Sequence, residues 1–177
     1  MTKRKPKIGF LGLMQGLYDA FMPEITPRQE KFAKEVIKKL GTGLDIHFLG
    51  ASKTREDAEK QMGYFNREGF DGIIIVNLVY GPGVNLVRAL QNNRLPLLLA
   101  NIQPVSEVTT DWNMSDLTYN QGIHGLQDTA NTIIRTVGDN FYVVTDDWQK
   151  PEFAAFITNW ATVAMTVSEM KKMKIAW

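Results

Sequence analysis

Uncharged side chains that both donate and accept hydrogen bonds follow the ends of several predicted strands. Most are amides, and one is an imidazole: Gln15, Asn77, Asn101, Gln103, Asn120, Gln121 and His124. A polyol donates and accepts in the same way, and Met14, Leu17 and Tyr18 are suited to cover its C–H faces. The pattern indicates a sugar ligand. Loops after strands are polar in any case, so the residues alone leave a purely structural interpretation open.

The two histidines have different predicted roles. His124 falls in the first turns of a predicted helix, where it could bind a substrate oxygen, transfer a proton or serve the structure. His47 lies within a predicted strand and is expected to be structural. The aspartates form no ligand motif for a metal ion, and no nucleophile has a partnered base. We therefore predict no catalytic residue and no metal ligand in this chain.

The order of the predicted elements indicates a parallel sheet covered by helices. Strands are predicted at residues 7–12, 44–49, 71–76, 95–100 and 141–145, and helices at 28–40, 54–68, 82–91, 120–137 and 151–171. Alternating strands and helices predict a three-layer α/β fold with a doubly wound, flavodoxin-like (Rossmann-like) sheet in the order 2-1-3-4-5. Phe153, Phe156 and Trp160 on the last helix are expected in the core or against another lobe.

Composition excludes several function classes. The chain has 177 residues with 20 basic and 19 acidic side chains, so no field of one sign is present to attract nucleic acid or an anionic membrane. It has no cysteine, which fits a reducing compartment, and we expect a cytoplasmic protein. The loop after the first strand lacks the glycine patterns of dinucleotide and nucleotide sites. Asn77 stands where a phosphorelay receiver needs an aspartate.

Four segments resemble L-arabinose isomerases of the L-arabinose/L-fucose isomerase group. Residues 12–18 are similar to the G-x-Q-x-L-Y stretch that opens those enzymes, with one extra residue here. Residues 95–103 (LPLLLANIQ) resemble their K-P-L-L-Q-F-x-T-Q strand, and 120–125 (NQGIHG) their N-Q-T-A-H-G helix opening. Residues 143–150 (VVTDDWQK) are similar to V-V-T-G-H-W-Q-D. The resemblance spans nearly the whole chain.

The resemblance implies one N-terminal domain, residues 1–177, truncated from a longer multi-domain polypeptide. Such enzymes interconvert aldoses and ketoses through an ene-diol with a divalent, manganese-type ion. Their metal-binding glutamates and histidines lie in later parts of the polypeptide, with no counterpart here. The chain is therefore expected to be catalytically incomplete and to hold no cofactor itself. Its expected partners are the downstream isomerase domains, neighbouring subunits of a homo-oligomer and the sugar.

The resemblance also implies which residues contact the substrate. Gln15, Gln121 and His124 would hydrogen-bond sugar hydroxyls, while Leu17 and Tyr18 would shape the pocket and exclude water. The extra residue before Gln15 and the altered connection at 105–117 leave the sugar open between an arabinose type, a fucose type and another. A free-standing sugar-binding or sensor module of the same fold is the alternative function, and an association domain without ligand is a third.

Overall fold

Five parallel strands form one sheet in the order β2-β1-β3-β4-β5 in the computed structural model, which describes residues 4–174. The strands are β1 (Lys7–Leu13), β2 (Asp45–Ser52), β3 (Gly72–Asn77), β4 (Leu97–Asn101) and β5 (Phe141–Thr145). The helices are α1 (Tyr18–Phe21), α2 (Ile25–Leu40), α3 (Arg55–Arg67), α4 (Val87–Gln91), α5 (Met114–Tyr119), α6 (Gly122–Val137) and α7 (Pro151–Met170). A 3-10 helix, Gly83–Leu86, precedes α4. The predicted fold class and strand order are confirmed.

The central strand β3 is buried along its whole length, as its run of β-branched residues predicts. Ile74 and Val76 pack in one apolar cluster with residues of α2 and α7. Ile73 and Ile75 pack in a second cluster with residues of α3, α4 and α6. Alternate side chains of a strand point to opposite faces of the sheet, so the two clusters are the two interfaces of a three-layer structure.

The first long helix begins earlier than predicted. The sequence indicates a helix from residue 28 with Thr26 as its cap, but α2 begins at Ile25, with Glu24 at the N-cap position. Ile25 is fully buried, and Pro27 is tolerated because the first turn of a helix has no intrahelical use for its N–H. The Thr26 hydroxyl instead donates to the Asp19 carboxylate. By contrast, the predicted cap Thr54 begins α3 through a capping box with Asp57.

The helix predicted over residues 120–137 is in fact preceded by a separate helix, α5. Asn113 caps α5 reciprocally with Asp116, and Asn120 ends it. The Asn120 amide donates to the Asp116 carbonyl and accepts from the Val105 N–H. Asn120 is therefore a helix-terminating residue that ties down the preceding connection. Helix α1, inside the loop after β1, was not predicted.

Burial of the aromatic residues on α7 follows the core prediction only in part. Phe153 and Trp160 are buried in the cluster shared with α2, whereas Phe156 is 40% exposed. No helix in residues 4–174 is both long enough and apolar enough to cross a bilayer.

The buried carboxylate of Asp71 joins the N-terminal segment of the chain to the amino-terminal end of β3. The Asp71 side chain is fully buried and accepts two hydrogen bonds from the Arg4 guanidinium, at 2.7 and 2.9 Å, and one from the Lys7 N–H, at 2.9 Å. Burial raises the pKa of Asp71, but the hydrogen bonds from Arg4 and Lys7 outweigh it and lower that pKa below the usual aspartate value. Arg4 also contacts Glu169 near the end of α7.

We expect Asp71→Asn to lower the free energy of unfolding at pH 7 by about 1–3 kcal/mol, because it removes the charge that the Arg4 guanidinium contacts. A lowered folded-state pKa stabilises the fold above the unfolded-state pKa of about 3.9, and this contribution is lost as the pH falls through the folded-state value. The difference between Asp71→Asn and the unsubstituted chain should therefore shrink towards pH 3 in urea unfolding. The exposed Asp111→Asn is the control, and an equal loss in that variant would contradict the assignment.

Candidate functional site

Three segments converge on Gly81, beyond the carboxyl ends of β1 and β3. The Gln15 N–H donates to the Tyr80 carbonyl at 3.0 Å, which joins the loop after β1 to the loop after β3. A Cβ on Gly81 would lie 3.2 Å from the Met14 backbone, and a Cβ on Gly125 would lie 3.0 Å from the Gly81 nitrogen. The loop after β1, the loop after β3 and the first turns of α6 therefore meet where the winding of the sheet reverses, the usual ligand position in such sheets.

Two glycines let the start of α6 lie directly on the end of β3. A Cβ on Gly122 would lie 2.2 Å from the Asn77 carbonyl oxygen, and one on Gly125 would lie 2.5 Å from the Asn77 side-chain nitrogen. Side-chain atoms do not fit at either distance. The absence of a Cβ at both positions therefore lets the backbone of the first turn of α6 approach the end of β3, with Gln121 immediately before that turn.

Tyr18 and Gln121 are in direct contact. The Gln121 side-chain amide donates to the Tyr18 hydroxyl at 2.9 Å, across 103 positions of sequence. Burial raises the pKa of Tyr18, and the neighbouring Tyr80 phenol raises it further. Tyr18 is therefore a protonated phenol at neutral pH, able to donate a hydrogen bond while it accepts one from Gln121.

The other three predicted contact residues lie on the same rim with different exposure. Gln15 is half-buried next to Tyr80, and Leu17 at the start of α1 is 59% exposed. His124 is exposed on the first turn of α6. All five residues lie in segments that meet at the ends of β1 and β3, and a side-chain hydrogen bond joins two of them, Tyr18 and Gln121. Their contact with a sugar stays a prediction.

Most of the remaining amides of the predicted polar rim are used inside the fold. Asn77 is buried and accepts from the Thr129 hydroxyl at 3.3 Å. The Asn101 side chain donates to the Thr145 hydroxyl at 3.2 Å and accepts from the Gln103 amide at 3.0 Å. These groups stabilise the strand ends, so the interpretation of them as ligand groups is not supported by their positions. The part of the rim suited to a ligand reduces to Gln15, Gln121 and His124 with their apolar neighbours.

An ion pair that the sequence did not indicate holds helix α1 in place. The Asp19 carboxylate accepts from the Lys53 ammonium and the Thr26 hydroxyl, both at 2.5 Å. These two hydrogen bonds, the one from Lys53 foremost, lower the pKa of Asp19. Lys53 and Asp19 are 34 positions apart, and no spacing rule relates them. Tyr80 is a second residue of the rim that the sequence did not indicate.

Tyr119 fixes α5 beneath this rim. It packs with Met14, Ile25 and Val79 in a small buried cluster that Tyr18 also contacts. The Tyr119 hydroxyl donates to Glu24 at 3.0 Å, and the Arg28 guanidinium lies 3.4 Å from the centre of its ring. The Arg28 guanidinium thereby makes a cation–π contact with the Tyr119 ring.

Neither a metal centre nor the large cavity coincides with the rim. Within residues 4–174, no three histidine, aspartate or glutamate side chains lie close enough to share a metal ion. A cavity of about 580 Å³ lies elsewhere, between α7, the start of β4 and β5. Gln15, Gln121 and His124 do not line it. The rim at the ends of β1 and β3 is open to solvent, with Leu17 and His124 exposed and Tyr18 in contact with Gln121.

Comparison with known proteins identifies a family and gives a distant structural match. The family model described as L-arabinose isomerase N-terminal domain matches residues 3–172. No curated protein sequence matches significantly. Among solved structures, an ABC transporter solute binding protein from Bacillus halodurans C-125 with bound myo-inositol aligns at 14% identity with a TM-score of 0.32. The alignment covers 92% of this chain but only 65% of that protein.

We expect Gly122→Ala to lower the free energy of unfolding by about 1–3 kcal/mol, because the added methyl group would overlap the Asn77 carbonyl. Gly63→Ala is the matched helical control, since a Cβ there would meet only the mobile end of Arg67 and alanine favours a helix by up to about 1 kcal/mol. Urea unfolding of both variants checks this. A Gly122→Ala variant as stable as Gly63→Ala would show that the close contact is not a constraint.

Proposed function

Because the chain belongs to the L-arabinose isomerase N-terminal domain family, we propose that it is the N-terminal lobe of a metal-dependent aldose–ketose isomerase and forms a wall of the sugar pocket. The observation that supports this most directly is the hydrogen bond between Tyr18 and Gln121. It joins the loop after β1 to the start of α6, which are distant in sequence. Each segment carries a second polar residue, Gln15 in the loop and His124 in the helix. Such a convergence at the switch point of the sheet is the geometry of a binding wall.

The chemistry of the wall suits an uncharged sugar. Gln15 and Gln121 each offer an amide donor and acceptor, and His124 adds an imidazole. The protonated Tyr18 phenol can donate to a hydroxyl, and Leu17 beside it covers apolar C–H surface. Lys53 is paired with Asp19, so this cation is not offered to a phosphate group. The role we assign to these residues is to orient the substrate and exclude water from it.

The catalytic metal and its ligands belong, in this proposal, to further domains of a longer polypeptide. A divalent ion of the manganese type prefers several convergent carboxylate and imidazole ligands. The described residues offer no such set, so they do not fit that ion. The bound metal would polarise the sugar oxygens, and this chain would contribute no catalytic group.

A cytoplasmic location is proposed on the absence of cysteine.

Exposed apolar side chains around the wall support closure by another lobe or subunit. Leu17 and Phe21 on the α1 side and Met114 and Leu117 on α5 are all at least half exposed. Helices α1 and α5 both pack near the start of α2. Exposed apolar side chains on elements beside a polar site favour an interaction surface there.

Titration of the isotope-labelled chain with L-arabinose and L-fucose tests the wall. We expect weak, saturable shifts of backbone amide signals at Gln15, Gln121 and His124, because only one side of a pocket is present. Gln121→Ala should weaken binding about tenfold, as expected for loss of one hydrogen bond of about 1.4 kcal/mol. Gln127→Ala, on the exposed side of α6, is the control. Shifts centred elsewhere, or equal effects of both variants, would contradict the proposed wall.

We expect the isolated chain to form no ketose from L-arabinose or L-fucose in the presence of manganese chloride, because the described residues offer no cluster of three ligating side chains for the ion. Chromatographic analysis of the sugar after prolonged incubation measures this. Manganese-dependent turnover by the pure chain would contradict this prediction. If that turnover persisted in Gln121→Ala, the metal site would lie within this chain.

A further inference from the structure

The three segments that meet at the rim carry a single fixed charge at neutral pH. Residues 14–23, which hold the loop after β1 and helix α1, contain Asp19 as their only charged residue. Residues 77–87, after β3, contain none, and residues 117–127 contain none apart from the titratable His124. The charge that a ligand meets at the rim therefore depends on what neutralises the Asp19 carboxylate.

The neutralising cation is the Lys53 ammonium, from the loop after β2. The Met14 N–H donates to the Ser52 carbonyl at 3.0 Å, which joins this loop to the loop after β1. A Cβ on Gly16 would lie 3.6 Å from the Lys53 Cβ and 3.9 Å from its Cδ. The Lys53 ammonium donates to Oδ2 of Asp19. The Lys53 side chain therefore lies against the loop that carries two of the proposed sugar contacts.

Both members of this ion pair are held in position and are still accessible to solvent. The Thr26 hydroxyl donates to the other oxygen of Asp19, Oδ1. The Lys53 N–H donates to the Asp57 carboxylate at 3.1 Å, at the start of α3. The side chains of Lys53 and Asp19 are 24% and 39% exposed. A dissolved anion can therefore approach the pair, and it would meet a cation and a carboxylate together.

The other charged groups close to the rim are engaged within the fold or balanced by a neighbour. Asp128 of α6 accepts from the backbone N–H at the start of the 3-10 helix, at 2.8 Å. Glu24 accepts from the Tyr119 hydroxyl, and the Arg28 guanidinium lies over the same ring. Residues 55–56 on the first turn of α3 are exposed and opposite in charge. The pair of Lys53 and Asp19 is thus the one that decides the charge beside the proposed wall.

We propose that Asp19 is a specificity-determining residue, which makes the wall accept uncharged sugars and reject phosphorylated or carboxylated ones. This inference rests on the proposed function, because it concerns the class of ligand at the same wall. An anionic ligand would find the Lys53 charge neutralised and would be repelled by the Asp19 carboxylate. Separating the two side chains to free the lysine would break a charge-assisted hydrogen bond. An uncharged sugar incurs neither cost.

The substitution Asp19→Asn separates the charge of this residue from its shape. Asparagine in the same orientation keeps the Oδ1 that accepts from Thr26 and replaces Oδ2, which faces the Lys53 ammonium, with an NH₂ donor. An NH₂ group cannot accept a hydrogen bond from an ammonium, so Lys53 is released with its full charge. The rim then changes from neutral to cationic while α1 stays attached to α2 through Thr26.

Titration of the isotope-labelled chain with D-ribose 5-phosphate and with uncharged D-ribose, at about 20 mM salt, tests the inference. The unsubstituted chain should bind the phosphate ester no more tightly than D-ribose. Asp19→Asn should bind the ester at least about tenfold more tightly than the unsubstituted chain, because the freed lysine gains a charge-assisted hydrogen bond. Its affinity for D-ribose should change by less than about twofold, since that ligand carries no charge. The largest shifts should lie at the backbone amides of Gly16 and Lys53.

Two further variants establish whether charge is the cause. The gain should disappear in Asp19→Asn/Lys53→Met, because the freed cation is absent. Asp139→Asn removes an equal charge before β5, at the opposite end of the sheet, and should behave as the unsubstituted chain does. At about 1 M salt, where the Debye length is about 3 Å, the gain should fall below about threefold. No gain in Asp19→Asn, or a gain that the double variant or Asp139→Asn shares, would overturn the role of Asp19.

The Gln121 side-chain amide signal reports the hydrogen bond to Tyr18 and so shows whether α1 keeps its position. If that signal is lost, Asp19→Ala replaces Asp19→Asn, because alanine also releases Lys53 and favours a helix. Failure of the wall is a different result: L-arabinose would shift no rim signal, while Asp19→Asn would still gain the phosphate ester. If L-arabinose binds at the wall and Asp19→Asn gains nothing, the wall stands and the inference about Asp19 is wrong.

Discussion

The structure depends most on the close backbone contact between the start of α6 and the end of β3. Gly122 and Gly125 allow it, since any side chain at either position would overlap Asn77. The contact sets the height of α6 above the sheet, and so determines whether Gln121 can reach the Tyr18 hydroxyl. The first turn of α6 is positioned by Asn77 at the end of β3. Helix α5 is positioned separately, by hydrogen bonds that join Tyr119 to Gln29 and Glu24.

The fold was predictable because its strongest signals are local. The run Ile73–Val76 is apolar throughout, which only a strand buried on both faces explains. Thr54 and Asp57 have the spacing of a capping box, and α3 begins there. Helix α5 was missed because it is short and lies in a polar connection, and it is held by tertiary contacts of Tyr119 with Gln29 and Glu24. The early start of α2 was missed because the burial of Ile25, a tertiary effect, outweighs the preference for a threonine cap.

The candidate site was predictable only in part, for a different physical reason. Amides at strand ends satisfy backbone and side-chain groups of the fold as readily as they bind a ligand. Sequence composition could not separate Asn77 and Asn101, which are used within the fold, from Gln15 and Gln121 on the rim. The resemblance to sugar isomerases made that selection. No motif or resemblance pointed to Lys53 or Tyr80, because their positions at the rim follow from strand order and loop packing.

The hydrogen bond between Tyr18 and Gln121 limits what this wall can do alone. Because the Tyr18 pKa is raised, the phenol keeps its proton at neutral pH and can donate a hydrogen bond while it accepts one from Gln121. A sugar hydroxyl that inserts between the two groups exchanges one hydrogen bond for others and gains little net free energy. Leu17 and Phe21 are exposed, so in the proposed function they would exclude little water from a sugar. Under that proposal, tight binding would require a second wall that covers Leu17 and Phe21, excludes water and strengthens the polar contacts.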